Sequence, residues 1–365
     1  MKEKKKGGLF AGVLVGLLMV IIGTGLLWWN EGNNVRNIKT TDEIEKNVVE
    51  ITSGSDCAEY DGQLVALGDK FTVKDKEITD DTFKVSVHTA SLRRVVEIYQ
   101  WEEESDTDDD GDTTYSYKKV WHEGLIDSSS FSYSGHDNPD SVAYSSDSFY
   151  AEEVILGNYR LSSSQIAQMD TDKTFTPTES TADIPKGYTL NGQYIISSED
   201  VESPQIGDVR ISWKYNGWKE VSLIAQVSGS SFVSYTSEVG KNVNYVTEGV
   251  KTAAQMIEEI RNQDKMMKWM FRLIGALLIF LGYMSFISPL TKLLNYIPIL
   301  GNVVNFMFGL MVFLLSLLQS LLVIIIAWFR FRPLLSLCLL AVCAVIGVLI
   351  FLLKKKQGAK APQAS

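Results

Sequence analysis

The sequence keeps its acidic residues and its long apolar runs in separate parts of the chain. Between residues 30 and 268 there are 43 acidic and 22 basic residues, whereas residues 269–365 contain no Asp or Glu. Carboxylates are costly in hydrocarbon, and Lys and Arg collect where a chain leaves the bilayer. This segregation is typical of an integral membrane protein that carries a large, acidic, water-facing domain.

The first apolar run predicts a transmembrane helix near the N-terminus. Residues 9–29 contain no charged side chain and would extend about 31 Å as a helix, which matches a bilayer core. The run is too long for the h-region of a cleaved signal peptide, and Trp28 and Trp29 lie where an interfacial aromatic anchor belongs. We therefore expect a signal-anchor helix, preceded by a basic cytoplasmic tail at residues 1–8.

Two glycines in this run form the pattern Gly12-x-x-x-Gly16. Small residues four positions apart allow two membrane helices to approach closely. Isolated pairs of this kind are common in membrane spans, so the sequence favours no special role for them.

Three further spans are predicted towards the C-terminus. They cover residues 269–288, closed by Pro289, then 299–329 and 334–353, and residues 354–365 form a second basic cytoplasmic tail. The middle span has 31 residues, which exceeds one upright helix, so we expect it to tilt or kink. Four crossings place both basic tails on one side, as the positive-inside rule requires.

Five basic residues do not obey this topology. The residues that fall on the side of the acidic domain are Lys265, Lys268, Arg272, Arg330 and Arg332. A re-entrant middle segment would move the last two inside but would expel the basic run at 354–356, so four spans are preferred. Arg272 lies one turn inside its span, and we expect its side chain to extend to the interface.

Residues 30–268 are predicted to form a β-rich extramembrane domain that ends in an amphipathic helix. Alternating or short apolar runs between Gly and Asp turns indicate strands. The clearest runs are 63–67, 71–73, 83–87, 94–101 and 115–121. Together with the spans, they make the fold class a membrane protein of α+β type.

Turn and capping signals predict further elements of this domain. Asn216-Gly217 between apolar runs at 210–215 and 218–227 predicts a type I′ hairpin, because that turn needs positive φ at two positions. Ser162 followed three residues later by Gln165 predicts a capping box before a short helix.

Helical periodicity and polar composition define the rest of the domain. Apolar residues at 4-3-4-3 spacing predict a helix that joins the span at 269, and they are Val246, Val250, Ala253, Ile257 and Ile260. Residues 42–49 resemble a short amphipathic helix. The Ser- and Asp-rich stretches at 127–148 and 171–183 are predicted to be exposed loops.

The most acidic segment, residues 102–112, matches half of a calcium-binding loop. Asp106, Asp108 and Asp110 take the first ligand positions of an EF-hand, and Gly111 and Asp112 follow them. The twelfth position, which requires a bidentate Glu, is Tyr117, and both flanks indicate strands. A solvated hairpin tip is therefore favoured over a calcium site.

No catalytic, cofactor-binding or metal residue is assigned. His88, His122 and His136 are far apart and follow no metal-ligand spacing. Neither a Gly-x-Ser-x-Gly elbow nor a phosphate-binding Gly-rich loop occurs. The acidic domain would repel nucleic acid, and the C-terminal spans lack the carboxylate that ion-coupled transporters need.

The three cysteines cannot form a disulfide framework. Cys57 lies in the polar stretch, and Cys338 and Cys343 lie in an apolar run. The domain must therefore fold on its hydrophobic core. Residues 30–268 also contain no Asn-x-Ser/Thr acceptor, which favours a prokaryotic or unglycosylated setting.

Several short motifs, taken in order, resemble the LUMA (transmembrane protein forty-three) family across nearly the whole chain. The motifs are Trp29-Asn30-Glu31-Gly32, Tyr99-Gln100-Trp101-Glu102, Tyr115-x-Tyr117-x-Lys119-x-Trp121, Gly157-x-Tyr159-x-Leu161-Ser162, Pro204-x-Ile206-Gly207-Asp208-Val209-Arg210, Arg272-x-x-Gly275, Ser288-Pro289-Leu290 and Ile297-Pro298-x-Leu300-Gly301. The resemblance implies a membrane protein without a known catalytic residue. It also implies membrane organisation as the role, in the endoplasmic reticulum and inner nuclear membrane for animal members.

The leading hypothesis is a non-enzymatic membrane organiser or scaffold. Its partners would be membrane lipids and other membrane proteins, including a second copy in a homo-oligomer, with the Tyr- and Trp-bearing strands as contact surface. A channel or lipid-handling protein is the alternative, with Asn302, Asn305 and the long element at 299–329 as a polar seam. An extracytoplasmic hydrolase without a recognisable motif comes third. The membrane is expected to be the bacterial cytoplasmic membrane with the domain outside, or a eukaryotic one with the domain lumenal.

Overall fold

The computed structural model describes residues 2–6, 9–107, 112–198, 200, 202–294, 301–334, 336–338 and 341. These residues form two compact units. The β unit comprises residues 2–6, 40–107 and the described residues of 112–261. The helical unit comprises residues 9–39 and the described residues from 262 onward.

Four α-helices occur in the described residues. They are α1 (Leu9–Asn47), α2 (Ser163–Ile166), α3 (Ala253–Leu294) and α4 (Gly301–Phe331), and Cys57–Tyr60 and Ser128–Ser130 form short 3₁₀ helices. The capping box predicted before α2 is present, with the side chains of Ser162 and Gln165 each bonded to the other's backbone N–H.

Short strands make up most of the β unit. In chain order they are β1 (Lys2–Lys6), β2 (Val49–Glu50), β3 (Leu64–Lys70), β4 (Thr72–Val73), β5 (Ile78–Asp80), β6 (Val85–Val87), β7 (Ser91–Thr107), β8 (Asp112–Glu123), β9 (Asp147–Tyr150), β10 (Val154–Leu156), β11 (Tyr159–Arg160), β12 (Lys173–Phe175), β13 (Thr189–Asn191), β14 (Tyr194–Ile196), β15 (Val209–Tyr215), β16 (Glu220–Ser228), β17 (Ser231–Val233), β18 (Tyr235–Thr236), β19 (Asn242–Val243) and β20 (Tyr245–Glu248). The predicted β-rich middle of the chain is confirmed.

Two eight-stranded sheets organise these strands. The first has the order β1-β8-β7-β15-β14-β13, with β12 also on β15 and β9 also on β7. The second has the order β2-β3-β16-β17-β11-β10-β4, with β20 also on β16. Most pairs are antiparallel, whereas β2–β3 and β11–β17 are parallel.

A single hydrophobic core takes side chains from both sheets. Val96, Ile211 and Trp213 come from the first sheet, and Leu223 and Phe232 come from the second. Since all five are fully or almost fully buried, the two sheets pack face to face as in a β-sandwich.

The second sheet is buried on its other face as well. Leu64, Ala66 and Ile224 pack there against Ile44 near the end of α1 and Met256 near the start of α3. A strand with both faces buried needs apolar residues at every position rather than at alternate ones. This explains the continuous apolar runs of β3 and β16.

One ion pair is enclosed in the sandwich core. Arg94 lies 2.6 Å from the carboxylate of Asp80, whose side chain is fully buried, and the indole N–H of Trp213 donates to the other carboxylate oxygen at 2.9 Å. The guanidinium also donates to the carbonyl of Ser145 and lies 5.4 Å from the Phe83 ring centroid. A buried charge must be compensated in this way to be tolerated.

The hairpin predicted at Asn216-Gly217 is wrong. β15 before it belongs to the first sheet and β16 after it belongs to the second, so the segment crosses between sheets. Asn216 is buried; its backbone N–H donates to Ser91, and its side chain donates to the carbonyl of Asp170. These tertiary hydrogen bonds outweigh the local preference for a tight turn.

Several predicted boundaries also differ from the structure. The helix expected at 42–49 is the end of α1, and Val246 lies in β20 instead of the amphipathic helix, which begins at Ala253. Of the predicted loops, 171–183 contains β12 and 127–148 contains a 3₁₀ turn and the start of β9. These strands are only a few residues long, which leaves too little periodicity to detect in the sequence.

In the described part of the chain, three helices are long and apolar enough to cross a membrane. The segments are Gly12–Asn47, Ala253–Ile287 and Phe306–Phe331. The prediction that Pro289 closes its span is wrong, because α3 continues to Leu294. The predicted span at 334–353 lies largely outside the described residues, so a fourth membrane helix stays a prediction.

Candidate functional site

The outward face of the first sheet carries the aromatic residues predicted to form a contact surface. Tyr99 on β7 lies directly opposite Trp121 on β8, and their ring centroids are 5.2 Å apart. Lys119 lies 5.0 Å from the centroid of Trp101. Cross-strand pairs of this kind stabilise a hairpin, yet these rings remain half exposed on one face of the sheet.

Arg210 on β15 links this aromatic face to the neighbouring strands. Its guanidinium donates to both carboxylate oxygens of Glu97, at 2.7 and 2.8 Å. It also stacks over Trp121 and Tyr194, 4.7 and 4.9 Å from their centroids. Such a two-oxygen ion pair between aromatic planes fixes a long side chain that would otherwise be mobile.

A shallow cleft of about 450 Å³ opens beside Arg210. Its lining mixes both charge signs, with Glu97 and Glu123 facing Arg210 and Lys214. We call the half-exposed residues Tyr99, Trp101 and Trp121, together with Arg210 and this cleft, the aromatic face. Tyr, Trp and Arg are the residue types that contribute most to protein–protein binding.

Tyr117 does not belong to the aromatic face, although the sequence placed it there. Its ring stacks on His136 at 3.6 Å with an interplanar angle of 8°, and its hydroxyl donates to Glu103. The segment that includes His136 covers Tyr117, which is buried. This aromatic therefore packs within the domain, as cross-strand aromatics most often do.

The acidic segment at 102–112 shows the features of a hairpin and lacks an EF-hand's last ligand. β7 runs to Thr107 and β8 begins at Asp112, while residues 108–111 lie outside the described part of the chain. Tyr117, at the twelfth loop position, uses its hydroxyl within the domain. Lys118 pairs with both Glu102 and Glu104, at 3.0 and 2.5 Å, and neutralises part of the charge.

The three histidines lie apart and make local contacts. The Nδ1 atom of His88 lies 2.8 Å from the carbonyl oxygen of Lys76, and that of His122 lies 3.2 Å from the carbonyl oxygen of Gly124. Among the described residues, no three His, Cys, Asp or Glu side chains are grouped so that they could hold a metal ion. Cys57 and Cys338 are free thiols.

A buried ion pair joins the three long helices of the helical unit. Arg272 on α3 donates from Nε to the carboxylate of Glu31 on α1 at 2.7 Å, and the side chain of Glu31 is 1% exposed. Trp328 on α4 donates its indole N–H to the other carboxylate oxygen at 2.9 Å. The sequence predicts that Arg272 extends to the interface, and in the structure its guanidinium is paired with Glu31.

Residues next to this ion pair also make contacts between the helices. The side-chain amide of Asn30 donates to the backbone carbonyl of Lys268 at 3.1 Å. Gly32 faces the ring of Phe331, and a Cβ atom at Gly32 would lie only 2.7 Å from that ring. We call Glu31, Arg272 and Trp328 with these neighbours the helix junction.

The helix junction could not be predicted from local sequence, because Glu31 lies 241 positions from Arg272 and 297 positions from Trp328. A signal was nevertheless present. Glu31 follows the first span directly, and Arg272 lies one turn inside the next. Two opposite charges at matching depth in neighbouring helices favour a pair, because neither is tolerated alone in that environment.

Glycines form the seam between α1 and α3. Gly16 packs against Gly282 and Gly23 packs against Gly275, and a Cβ at Gly16 or Gly23 would lie 2.6 or 2.7 Å from the facing carbonyl oxygen. Gly12 is also in contact, 3.8 Å from Ser285. The glycine pattern of the first span thus has a packing role, with small residues seven positions apart on each helix.

Two polar side chains of α4, Gln319 and Ser316, form hydrogen bonds within the helical unit. Gln319 on α4 donates to Thr24 on α1 at 2.9 Å and accepts from the hydroxyl of Tyr283 on α3. Ser316 donates to a carbonyl of its own helix. The side chains of Asn302 and Asn305, the other residues of the predicted polar seam, lie outside the described part.

The sequence is similar to known membrane proteins over most of its length. The profile of a family described as Transmembrane protein 43 matches residues 98–333. The mouse and human proteins named Transmembrane protein 43 are 26% and 27% identical to it, each over 93% of this chain and 89% of its own length. A Drosophila melanogaster homolog is 27% identical over 90% of both chains. No solved structure matches the chain significantly.

Proposed function

Because the chain belongs to the transmembrane protein 43 family, we propose that it is a non-enzymatic membrane organiser that binds other membrane proteins through its β unit. The aromatic face is the observation that supports this role most directly. It offers rigid Tyr, Trp and Arg side chains beside a cleft of mixed charge, on a sheet whose other face is packed into the core.

The aromatic face has the composition of a protein-binding surface. Its rings are held by cross-strand contacts and by Arg210, so little side-chain entropy would be lost when a partner binds. Its mixed charges favour a partner that presents both acidic and basic groups. A nucleic acid is disfavoured, because the domain as a whole is strongly acidic.

The helical unit supports the membrane part of the proposal. Large apolar side chains on its outside include Leu14, Ile21, Leu273 and Phe306, each more than half exposed. Exposed apolar side chains along a long helix are stable only in contact with lipid or other membrane helices.

The proposed topology has four spans, with both basic tails in the cytoplasm and residues 40–261 of the β unit on the opposite side. It excludes the pairing of β1 with β8, because residues 2–6 precede the first span. Cys57 and an engineered cysteine at the exposed Lys186 (Lys186→Cys in a Cys57→Ser background) test it. A membrane-impermeant maleimide should label both in intact cells, and faster at position 186, because Cys57 is half buried. Labelling that requires permeabilised cells would overturn this topology.

Site-specific photo-crosslinking tests the scaffold role. A photoreactive amino acid is placed at Tyr99 or Trp121, and a matched control is placed at Val233, which is exposed on the second sheet. We expect the first two positions to capture a reproducible set of membrane proteins that the control does not capture. Capture of the same proteins from all three positions, or of none, would contradict the proposal.

A further inference from the structure

The helix junction carries more positive charge than its single carboxylate can balance. Arg272 is paired with Glu31, but Lys268 and Arg332 have no carboxylate within ion-pair distance among the described residues. The ammonium group of Lys268 is half-buried, and it feels the positive charges of Arg272 and Arg332 as well as the carboxylate of Glu31. A bound anion would offset the repulsion between these partly desolvated bases.

Aromatic rings near Lys268 and Arg272 indicate the level at which these bases lie relative to the bilayer. Lys268 and Arg272 both lie over the Trp269 ring, 5.8 and 4.8 Å from its centroid. Trp28 on α1 contacts Phe331 on α4, and the centroids of their rings are 5.5 Å apart. Trp residues gather at the level of lipid headgroups, so the uncompensated bases lie where lipid phosphates lie.

We propose that Lys268, Arg272 and Arg332 form a binding site for the phosphate of an anionic phospholipid at the helix junction. Basic pockets between membrane helices bind anionic headgroups in this way. The site also explains why these bases depart from the positive-inside rule in the four-span topology, since they serve a ligand rather than orientation.

Arg272 and the other two bases have different tasks in this site. The ion pair with Glu31 fixes the guanidinium of Arg272 and lowers its net charge, so it acts mainly as a positioning residue. Lys268 on α3 and Arg332 after α4 have no carboxylate within ion-pair distance among the described residues, and they would reach the phosphate from two segments. The inference does not depend on the proposed scaffold role, because it concerns the helical unit alone.

Lipid titration of the purified full-length protein, followed by native mass spectrometry, tests the inference. The protein is stripped of lipid and titrated with phosphatidylglycerol or with phosphatidylcholine. We expect saturable binding of phosphatidylglycerol, and weaker, unsaturated binding of phosphatidylcholine. Equal binding of both lipids by the wild-type protein would overturn the proposal, whatever the variants show.

Paired variants test which bases form the site. Since each base near a membrane surface contributes roughly a factor of five to the binding of anionic lipid, Lys268→Gln with Arg332→Gln should weaken binding about thirtyfold. The matched control, Lys186→Gln with Lys219→Gln, removes the same charge from exposed positions of the β unit and should change binding no more than about twofold. Equal weakening by both pairs would overturn the assignment of these residues.

Inorganic phosphate distinguishes a lipid site from a site for a soluble anion. Millimolar phosphate should leave phosphatidylglycerol bound, because the acyl chains contribute to the affinity. Displacement by phosphate would overturn the lipid assignment. The scaffold role is measured separately by crosslinking, so loss of one result leaves the other intact.

Discussion

The carboxylate of Glu31 on α1 and the guanidinium of Arg272 on α3 are 2.7 Å apart, although 241 positions separate the two residues in the chain. Both belong to short motifs that resemble the family, Trp29-Asn30-Glu31-Gly32 and Arg272-x-x-Gly275. The contact unites the two motifs in one buried ion pair, to which Trp328 adds a third helix.

Removing one partner of this pair should destabilise the protein strongly. Arg272→Met leaves the buried carboxylate of Glu31 uncompensated, and we expect a loss of about 3–5 kcal/mol in the free energy of unfolding. Glu31→Gln combined with Arg272→Met should recover most of that loss, because no lone charge remains. Thermal unfolding in detergent, monitored by tryptophan fluorescence, measures the stability of both variants.

An exposed ion pair is the control for this prediction. Arg93 and Glu123 lie 2.8 Å apart, with side chains 43% and 38% exposed, so Arg93→Met should cost no more than about 1 kcal/mol. If Arg93→Met and Arg272→Met lower the free energy of unfolding by the same amount, burial does not explain the contribution of the Glu31–Arg272 pair to stability.

The glycine seam predicts a position-specific effect in the first span. Gly16→Val places a side chain where a Cβ atom would already lie 2.6 Å from a backbone oxygen of α3, and overpacking of this kind costs about 1–3 kcal/mol. Gly25→Val is the control, because nothing lies within 4 Å of a Cβ at that position. Thermal stability in detergent should fall for the first variant only, and an equal fall for both would disprove the seam.

Replacing Asp80 or its neighbour Asp81 by alanine should change the stability of the protein by very different amounts. Asp80→Ala removes the acceptor of Arg94 and Trp213 inside the core, and should cost about 3–5 kcal/mol because a charged guanidinium stays buried. Asp81, whose side chain is 89% exposed, should tolerate Ala within about 0.5 kcal/mol. Denaturant unfolding of the full chain compares them, and similar midpoints would contradict the role given to the buried pair.

Ser53 should make the stability of the β unit depend on pH in the acid range. Its hydroxyl donates to Asp69, and with the backbone N–H of Lys70 it holds the pKa of that carboxyl below its ordinary value. A lowered pKa stabilises the folded protein above the unfolded value of about 3.9, and this stabilisation is lost as the pH falls through the folded pKa. Ser53→Ala should therefore destabilise the protein more at pH 7 than at pH 2.

A double-mutant cycle isolates this effect. In an Asp69→Asn background, Ser53→Ala should have the same effect at both pH values, because the titrating group is gone. Thermal unfolding at several pH values between 2 and 7 provides the data. A pH-dependent effect of Ser53→Ala that persists without Asp69 would assign the titration to another group.

The strands with regular patterns could be predicted from the sequence, and those held by tertiary contacts could not. β7 shows the alternation of a half-buried strand, since Leu92, Val96 and Ile98 face the core. Asn216-Gly217 carries an equally strong local signal, but hydrogen bonds to Ser91 and Asp170 decide its conformation. Local sequence patterns therefore predict the conformation of a segment only where contacts with distant residues do not favour a different one.

The residues of the candidate sites can likewise be divided into those that the sequence predicts and those that only tertiary contacts bring together. The sequence found the aromatic residues of the face, because β7 and β8 are adjacent in the chain. It could not find Arg210, which comes from β15, or the helix junction, whose members meet only through helix packing. The bases Lys268 and Arg332 were visible in the sequence solely as exceptions to the expected topology.

The crossover at Asn216-Gly217 has a consequence for how the protein is made. β3 lies between β2 and β16 in the second sheet, and its residues pair with residues that follow about 150 positions later in the chain. Pairing over such sequence distances is slow, and it cannot begin before the later strand has been synthesised. While the ribosome is still completing β16, the apolar strand β3 has no partner on one edge. That edge of β3 therefore stays unpaired until nearly the whole β unit has been synthesised, and an unpaired apolar strand edge is prone to aggregation.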